Sequence, residues 1–239
     1  MTTTEFNPHV SVDCVLFGFD GEHLNVLLVE KTGLSPKDTV RATMKLPGRL
    51  VYCNEYLDAA ASDVLESMTG IKKSNLQQFK SFGNPTRTSN REDLQWLKNQ
   101  VSMEIQRVVT VAYMSTIRIS TSLRTFSTEF NARWCPVNTV PNLIFDHNEI
   151  LAEALLHLRQ SAQLSPVFLF KLLPAKFTAL ELRKLYETVI GKPIDVRNFH
   201  KKIMAMPYVR PLQERQQNVA HRAARYYRFD KQAYNKLYK

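Results

Sequence analysis

The residues with the clearest chemical potential lie close together in the first third of the chain. Lys45 and Arg49 flank a Pro47-Gly48 turn, and LPGRLVYCNEYLDAAASDVLESMTGI (46–71) then carries Glu55, Asp63 and Glu66. A tight turn followed by an acidic helix is the outline of a site that gathers Mg²⁺ or Mn²⁺ beside a pyrophosphate. Positions 64, 67 and 68 are spaced i, i+3, i+4 and share one helix face. Carboxylates there would ligate the ion, but the residues are Val64, Ser67 and Met68. Asp63 and Glu66 are expected on other faces. Glu55 remains, and one carboxylate rarely holds a catalytic Mg²⁺ without substrate phosphates.

Other polar residues stand in apolar surroundings. Asp13 interrupts VSVDCVLF. It is costly if buried unpaired, and harmless if it is a strand-edge residue facing water. Lys45 and Arg49 either face a ligand or are surface charge. Glu55 either faces the site or braces the loop backbone. Asp146 and His147 precede a helical segment, so Asp146 either lines a pocket or is an N-cap. Tyr52, Tyr56 and Phe82 are available as an aromatic wall. Cys14, Cys53 and Cys135 are odd in number and lack C-x-x-C spacing. That fits a reducing cytoplasm and offers no metal site.

These residues must be positioned by a mixed α+β scaffold. HVSVDCVLFGF (9–19) and LNVLLVEK (24–31), joined at Asp20-Gly21, read as a hairpin. Residues 56–68 read as a helix with Leu57, Ala61, Val64, Leu65 and Met68 inward, capped at Gly70. RVVTVAYMSTI (107–117) and ARWCPVNTVPNL (132–143) supply strands, and 144–160 a helix. The segment 92–105 carries Leu94, Leu97 and Val101 at helical spacing. No run of about 18 apolar residues exists, and the start lacks a secretory pattern, so neither a membrane span nor a signal peptide is expected.

The charge is uneven. Residues 161–239 hold sixteen Lys+Arg against five Asp+Glu, and residues 1–160 hold sixteen against seventeen. The whole net charge of +10 therefore resides in the last third. A near-neutral domain, 1–160, joined to a polyanion-binding one, 161–239, accounts for that split. In the second, Thr178-x-x-Glu181 is a capping box opening a helix that Gly191 and Pro193 end. Asp195 caps a second helix, in which Val196, Phe199, Ile203 and Met206 form the buried stripe. Strands at 208–210 and 225–229 enclose a basic loop. Helix, helix, β-ribbon is the order of a winged helix-turn-helix. Arg197, Asn198, Lys201 and Lys202 are the residues placed to meet a major groove, and Arg215, Arg222 and Arg225 to reach phosphate or minor groove.

The 46–71 stretch resembles the Nudix box, G-x5-E-x7-R-E-U-x-E-E-x-G-U, with U apolar. Arg49 stands at the first glycine beside Gly48, Glu55 at the first glutamate, Asp63-Val64 at R-E, and Ser67-Met68 at E-E. The resemblance extends further, to the Nudix-related transcriptional regulators. VSVDCVLFGFDGEHLNVLLVEK (10–31) is similar to their opening hairpin, and LIFDHNEIL (143–151) to a segment after the last strand. LLPAKFTALELRKLYETVIGKPIDVRNFHKKI (172–203) with YYRFD (226–230) is similar to their DNA-binding half. Where that family has a D-R-D-P-like loop, this chain has NPTRTSN (84–90), keeping Arg87 with Thr86 and Thr88 in place of the acids.

The resemblance implies a Nudix-like α/β/α sandwich followed by a winged helix. It implies a cytoplasmic homodimeric repressor that leaves a palindromic DNA operator when a small molecule binds, with no cofactor and no catalysis. The effector expected is a pentose such as L-arabinose, controlling sugar-utilisation genes, with ADP-ribose-type nucleotides also known in the family. Its candidate contacts are Asp13, Lys45, Arg49, Glu55, Arg87, Asp146 and His147. The alternative is a pyrophosphohydrolase acting on ADP-ribose or another nucleoside diphosphate derivative.

Overall fold

The computed structural model describes residues 5–31, 43–72, 75–120, 131–164, 166–217 and 223–238. It divides into two compact units. One comprises Met1–Gly18, Asn25–Thr116 and Ser120–His157; the other comprises Phe19–Leu24, Ile117–Ile119 and Leu158–Lys239.

The first unit is built on β1 (Phe6–Phe19) and β2 (Leu24–Glu30). Its sheet runs β3 (Met44–Lys45), β2, β1, β6 (Val109–Arg118), β5 (Gln77–Phe82). Two further strands join it: β4 (Gly48–Tyr52) pairs with β1, and β7 (Ala132–Pro136) with β2. Every residue from Ser11 to Phe19 is buried. Unbroken burial, rather than alternation, means both faces of the strand are covered. Asp13 is therefore an interior carboxylate, not a strand-edge residue facing water.

Helix α1 (Leu57–Thr69) buries Ala60, Ala61, Val64 and Leu65, and ends at Gly70 with φ 73°. That left-handed cap suits glycine, which has no Cβ to clash. Its apolar face meets Val12, Cys14, Val51, Val111 and Tyr113. Helix α2 (Arg91–Val101) is capped by Asn90, whose side chain accepts from the Asp93 N–H. Its Leu94, Leu97 and Val101 pack on Leu50, Ile105 and Val108. Helix α3 (His147–Leu164) buries Ile150, Leu151 and Ala154 in its first turns, and from Leu158 onward it belongs to the second unit.

In the second unit a 3-10 turn (Pro166–Lys171) leads to β8 (Phe177–Thr178) and α4 (Ala179–Ile190). The Thr178–Glu181 capping box forms in full. Helix α5 (Val196–Met204) is capped by Asp195, which accepts from the Asn198 N–H at 2.9 Å. Strands β9 (Val209–Arg215) and β10 (Arg225–Phe229) follow, in the antiparallel order β8-β10-β9. Helix α6 (Lys231–Tyr238) closes the unit. Phe170, Phe177, Tyr208, Phe229 and Tyr234 form an aromatic cluster, with Phe170 and Phe229 stacked at 4.5 Å. Phe199, Ile203 and Met206 are buried, but Val196 is half-exposed, because the helix begins there and its first turn projects beyond the core. No helix among the described residues is long and apolar enough to cross a membrane.

Candidate functional site

The turn at Gly48 brings β4 against β1, with Asp13 opposite Gly48 and Val12 opposite Arg49. A Cβ at position 48 would lie 2.0 Å from Asp13 Oδ1 and 2.7 Å from the Val12 carbonyl oxygen. Only glycine admits that approach, so the turn residue and the buried carboxylate require one another.

Asp13 meets two elements distant in sequence. Arg87 lies 3.6 Å from its Oδ2, and His147 Nε2 lies 3.4 Å from its Oδ1. Arg87 also forks onto Asp146, with Nε and a terminal nitrogen each 2.9 Å from a carboxylate oxygen. Asp146 thus uses its side chain as an ion-pair partner and not as a helix cap. His147 Nδ1 accepts the Leu46 backbone N–H at 3.0 Å. That bond leaves the ring proton on Nε2, aimed at Asp13, and the imidazole neutral. Burial pushes the His147 pKa down. Burial would raise Asp13, but His147, Arg87, Thr110 and Lys45 together hold it below the usual carboxylate range.

Lys45 is buried, and its ammonium donates to the carbonyls of Gly48 at 2.8 Å and Leu46 at 3.2 Å. No carboxylate among the described residues pairs with it. Burial pushes its pKa down to about 8, against the pull of Asp13. Arg49 is engaged elsewhere. It forks onto Glu55 at 2.9 and 2.7 Å, reaches Asp63 at 2.9 Å, and lies over the Tyr52 ring at 4.5 Å. Glu55 also accepts the Tyr52 N–H at 3.1 Å. Asp63 is exposed, on a different face of α1 from the buried Val64, and the long Arg49 side chain reaches across to it.

Two adjacent hollows share Lys45, Gly48, Arg49, Leu50, Trp96 and Leu97. The smaller one, about 50 Å³, touches Asp13, Arg87 and His147. The larger one, about 530 Å³, is lined also by Phe6, Lys31, Ser67 and Met68. Its size lies in the usual range for small-molecule sites. Helix α2 forms its roof, pinned by a buried Lys31–Asp93 ion pair of 2.7 Å. Asp93 also accepts the N–H of Phe145, a residue with φ 50°.

Of the effector candidates, the structure brings Asp13, Lys45, Arg49, Arg87 and His147 to these hollows. Asp146 accepts from Arg87 and lines a further hollow of about 310 Å³ with it, and Glu55 accepts from Arg49. The aromatic residues of the wall are other than Tyr52, Tyr56 and Phe82. Tyr56 is 86% exposed at the start of α1, and neither Tyr52 nor Phe82 lines the hollows. Phe6 and Trp96 do so, and the helical spacing around Trp96 was the available signal.

In the second unit Arg197, Asn198 and Lys201 are exposed on α5, whose opposite side holds Phe199 and Ile203. Lys202 is exposed but lies over the Tyr186 ring at 4.7 Å. Arg215 and Arg225 face one another across β9 and β10 and are both exposed. Arg222 lies outside the described residues.

Residues 169–229 match the family model of the NrtR DNA-binding winged helix domain. The fold of the whole chain is a Nudix-like domain followed by a winged helix. The NrtR of Shewanella oneidensis, solved with a 27mer DNA, superposes with a TM-score of 0.66 at 24% identity, covering 95% of each chain. A MutT/nudix family protein from Enterococcus faecalis gives 0.61 at 22% identity, over 96% of this chain and 89% of that one. In sequence, the ADPR responsive transcriptional repressor NtrR of Acinetobacter baylyi is 25% identical over 233 residues, 96% of this chain and 85% of its own length. That relative is named for ADPR and not for a pentose, so it gives no support to the expected arabinose-type effector.

Proposed function

We propose that this chain is a transcriptional repressor whose Nudix-like domain senses ADP-ribose or a closely related nucleoside diphosphate, and whose winged helix binds DNA. The observation that carries this reading is the DNA-binding family match over residues 169–229 in a unit whose α5 presents Arg197, Asn198 and Lys201 to solvent. Arginine and asparagine at the start of such a helix suit guanine and adenine edges in a major groove. The A. baylyi repressor, similar along nearly the whole chain, supports the effector. So does the larger hollow, which offers the Lys45 cation together with the Phe6 and Trp96 rings. An anion beside a planar ring is the chemistry of a nucleotide.

A single winged helix has a small footprint, so the functional form is a homodimer on a palindromic operator. Self-association belongs to the near-neutral first domain, since the second half carries the positive charge and repels itself. Effector binding releases DNA, and operator and effector weaken each other by one common factor. The hydrolase reading is weaker, because Val64, Ser67 and Met68 supply no carboxylate.

The test is fluorescence anisotropy with an operator selected from random duplexes. Binding should be salt-sensitive, and ADP-ribose should lower it where L-arabinose does not. Absence of salt-sensitive binding to any duplex sinks the repressor reading. Metal-dependent turnover of ADP-ribose at enzymatic rates replaces it with the hydrolase.

A further inference from the structure

A Nudix-like fold implies a divalent cation beside α1 and the loop before it. The residues present do not fit one. Val64 is fully buried among apolar side chains. The Ser67 hydroxyl donates to the Val64 carbonyl at 3.4 Å. Met68 presents a soft thioether, and the Lys45 ammonium lies 3.9 Å from its sulfur. A hard cation seeks oxygen ligands and is repelled by a fixed ammonium. The two nearby carboxylates, Glu55 and Asp63, are already engaged by one guanidinium. Arg49 makes both contacts to Glu55 and a third to Asp63, all within 2.9 Å. Glu55 is further fixed by the Tyr52 N–H, and the guanidinium by the Leu50 carbonyl at 2.9 Å.

We infer that the first domain takes its anionic ligand without a divalent ion: the helix face that would hold one offers Val64, Ser67 and Met68, and the carboxylates beside it, Glu55 and Asp63, are held by Arg49. The assignment of that ligand as a nucleoside diphosphate rests on the reading above. A guanidinium is planar, stays charged at any working pH and matches a carboxylate bidentately. It has no open coordination position and cannot turn a bound water into hydroxide. Arg49 lines both hollows, so this fixed cation forms part of the wall that meets the ligand. The surviving box glutamate is thereby an anchor for an arginine. Hydrogen bonding from Arg49 holds the Glu55 carboxyl below its ordinary pKa, which keeps the pair ionised. Recognition and hydrolysis are separated at one position: the guanidinium offsets the charge of the carboxylates but, unlike a metal ion, cannot activate water.

The experiment has two arms on the full chain. In the first, Mn²⁺ alone is titrated and followed by electron paramagnetic resonance. The wild type should bind no Mn²⁺, Arg49→Gln should acquire a site, and Arg49→Gln with Glu55→Gln should lose it again. In the second, calorimetry measures ADP-ribose in EDTA and in Mg²⁺. Wild-type affinity should be the same in both, and Arg49→Gln should be weaker in EDTA by about tenfold or more. A Mn²⁺ site on the wild type, or ADP-ribose binding only with Mg²⁺, overturns the inference and leaves the effector reading intact. A folded Arg49→Gln chain that gains no Mn²⁺ site overturns it too. If ADP-ribose binds under neither condition, the effector reading fails, and the Mn²⁺ arm still decides the role of Arg49. If Arg49→Gln does not fold, the wild-type Mn²⁺ titration decides alone.

Discussion

His147 Nδ1 accepts the backbone N–H of Leu46 at 3.0 Å, across 101 residues of sequence. The bond requires an unprotonated nitrogen, and burial likewise lowers the His147 pKa in the folded chain. The unfolded chain takes up this proton near pH 6.5, before the folded chain does. Folding stability from this group is therefore present above about pH 6.5 and is lost as pH falls below it. Urea unfolding between pH 5 and 7 should show that slope. His147→Asn keeps an acceptor for Leu46 and should flatten it; an unchanged slope would show that His147 titrates freely.

Arg87 is the cation that Asp13 and Asp146 share in the interior. Removing it leaves two buried carboxylates without their partner. Arg87→Ala should lose roughly 3–5 kcal/mol of stability, the range for breaking a buried pair. Asp146→Asn should cost less, since Arg87 keeps Asp13. Equal losses in chemical denaturation would show that Asp13 does not take up the freed arginine.

Lys45 should give ligand binding a pH dependence. With a pKa of about 8, it is protonated below that value and increasingly neutral above it. An anionic ligand prefers the protonated form. Affinity for ADP-ribose should stay level from pH 7 to near 8 and then fall. Lys45→Met should bind more weakly and without that fall. A wild-type profile flat to pH 9 would place the ligand's charge elsewhere.

On DNA, Arg197→Ala and Asn198→Ala should each cost roughly 1–3 kcal/mol on the selected operator and relax sequence preference. Arg215→Ala should weaken all duplexes about equally and reduce the salt slope. Lys202→Ala should act less on DNA and more on stability, because that ammonium already lies over Tyr186. Anisotropy on operator and scrambled duplexes separates the two classes, and an indiscriminate loss in all four variants would mean that α5 does not read bases.

Features written in a few adjacent residues were legible in the sequence. The Gly70 cap, the Thr178–Glu181 box, the Asp195 cap and the buried stripe of α1 each depend on one turn of chain. Strand β5 was missed because Gln77–Phe82 is mostly polar and exposed, and is held by pairing with β6. Strand β4 was missed because its register comes from Asp13 and Val12 on β1. The site residues could be named singly, but not their pairings. Arg87 finds Asp146 across 59 residues, and Lys31 finds Asp93 across 62. Such partners are set by the sheet, and residue type alone does not distinguish a ligand contact from its support. Glu55 and Asp146 are two cases: each holds a guanidinium, a pairing that residue type and local sequence did not indicate.

Helix α2 enters and leaves the first domain between β5 and β6, and contributes Trp96 and Leu97 to the ceiling of the larger hollow. Its polar attachment runs through Asp93, which holds Lys31 on the sheet and the Phe145 backbone ahead of α3. The floor belongs to the sheet and to α1, while the ceiling belongs to a segment with its own cap and one ionic rivet. Descendants of this chain could exchange that segment as a cassette, keeping the aspartate and redrawing the ceiling, and so change what the protein perceives without disturbing how it folds.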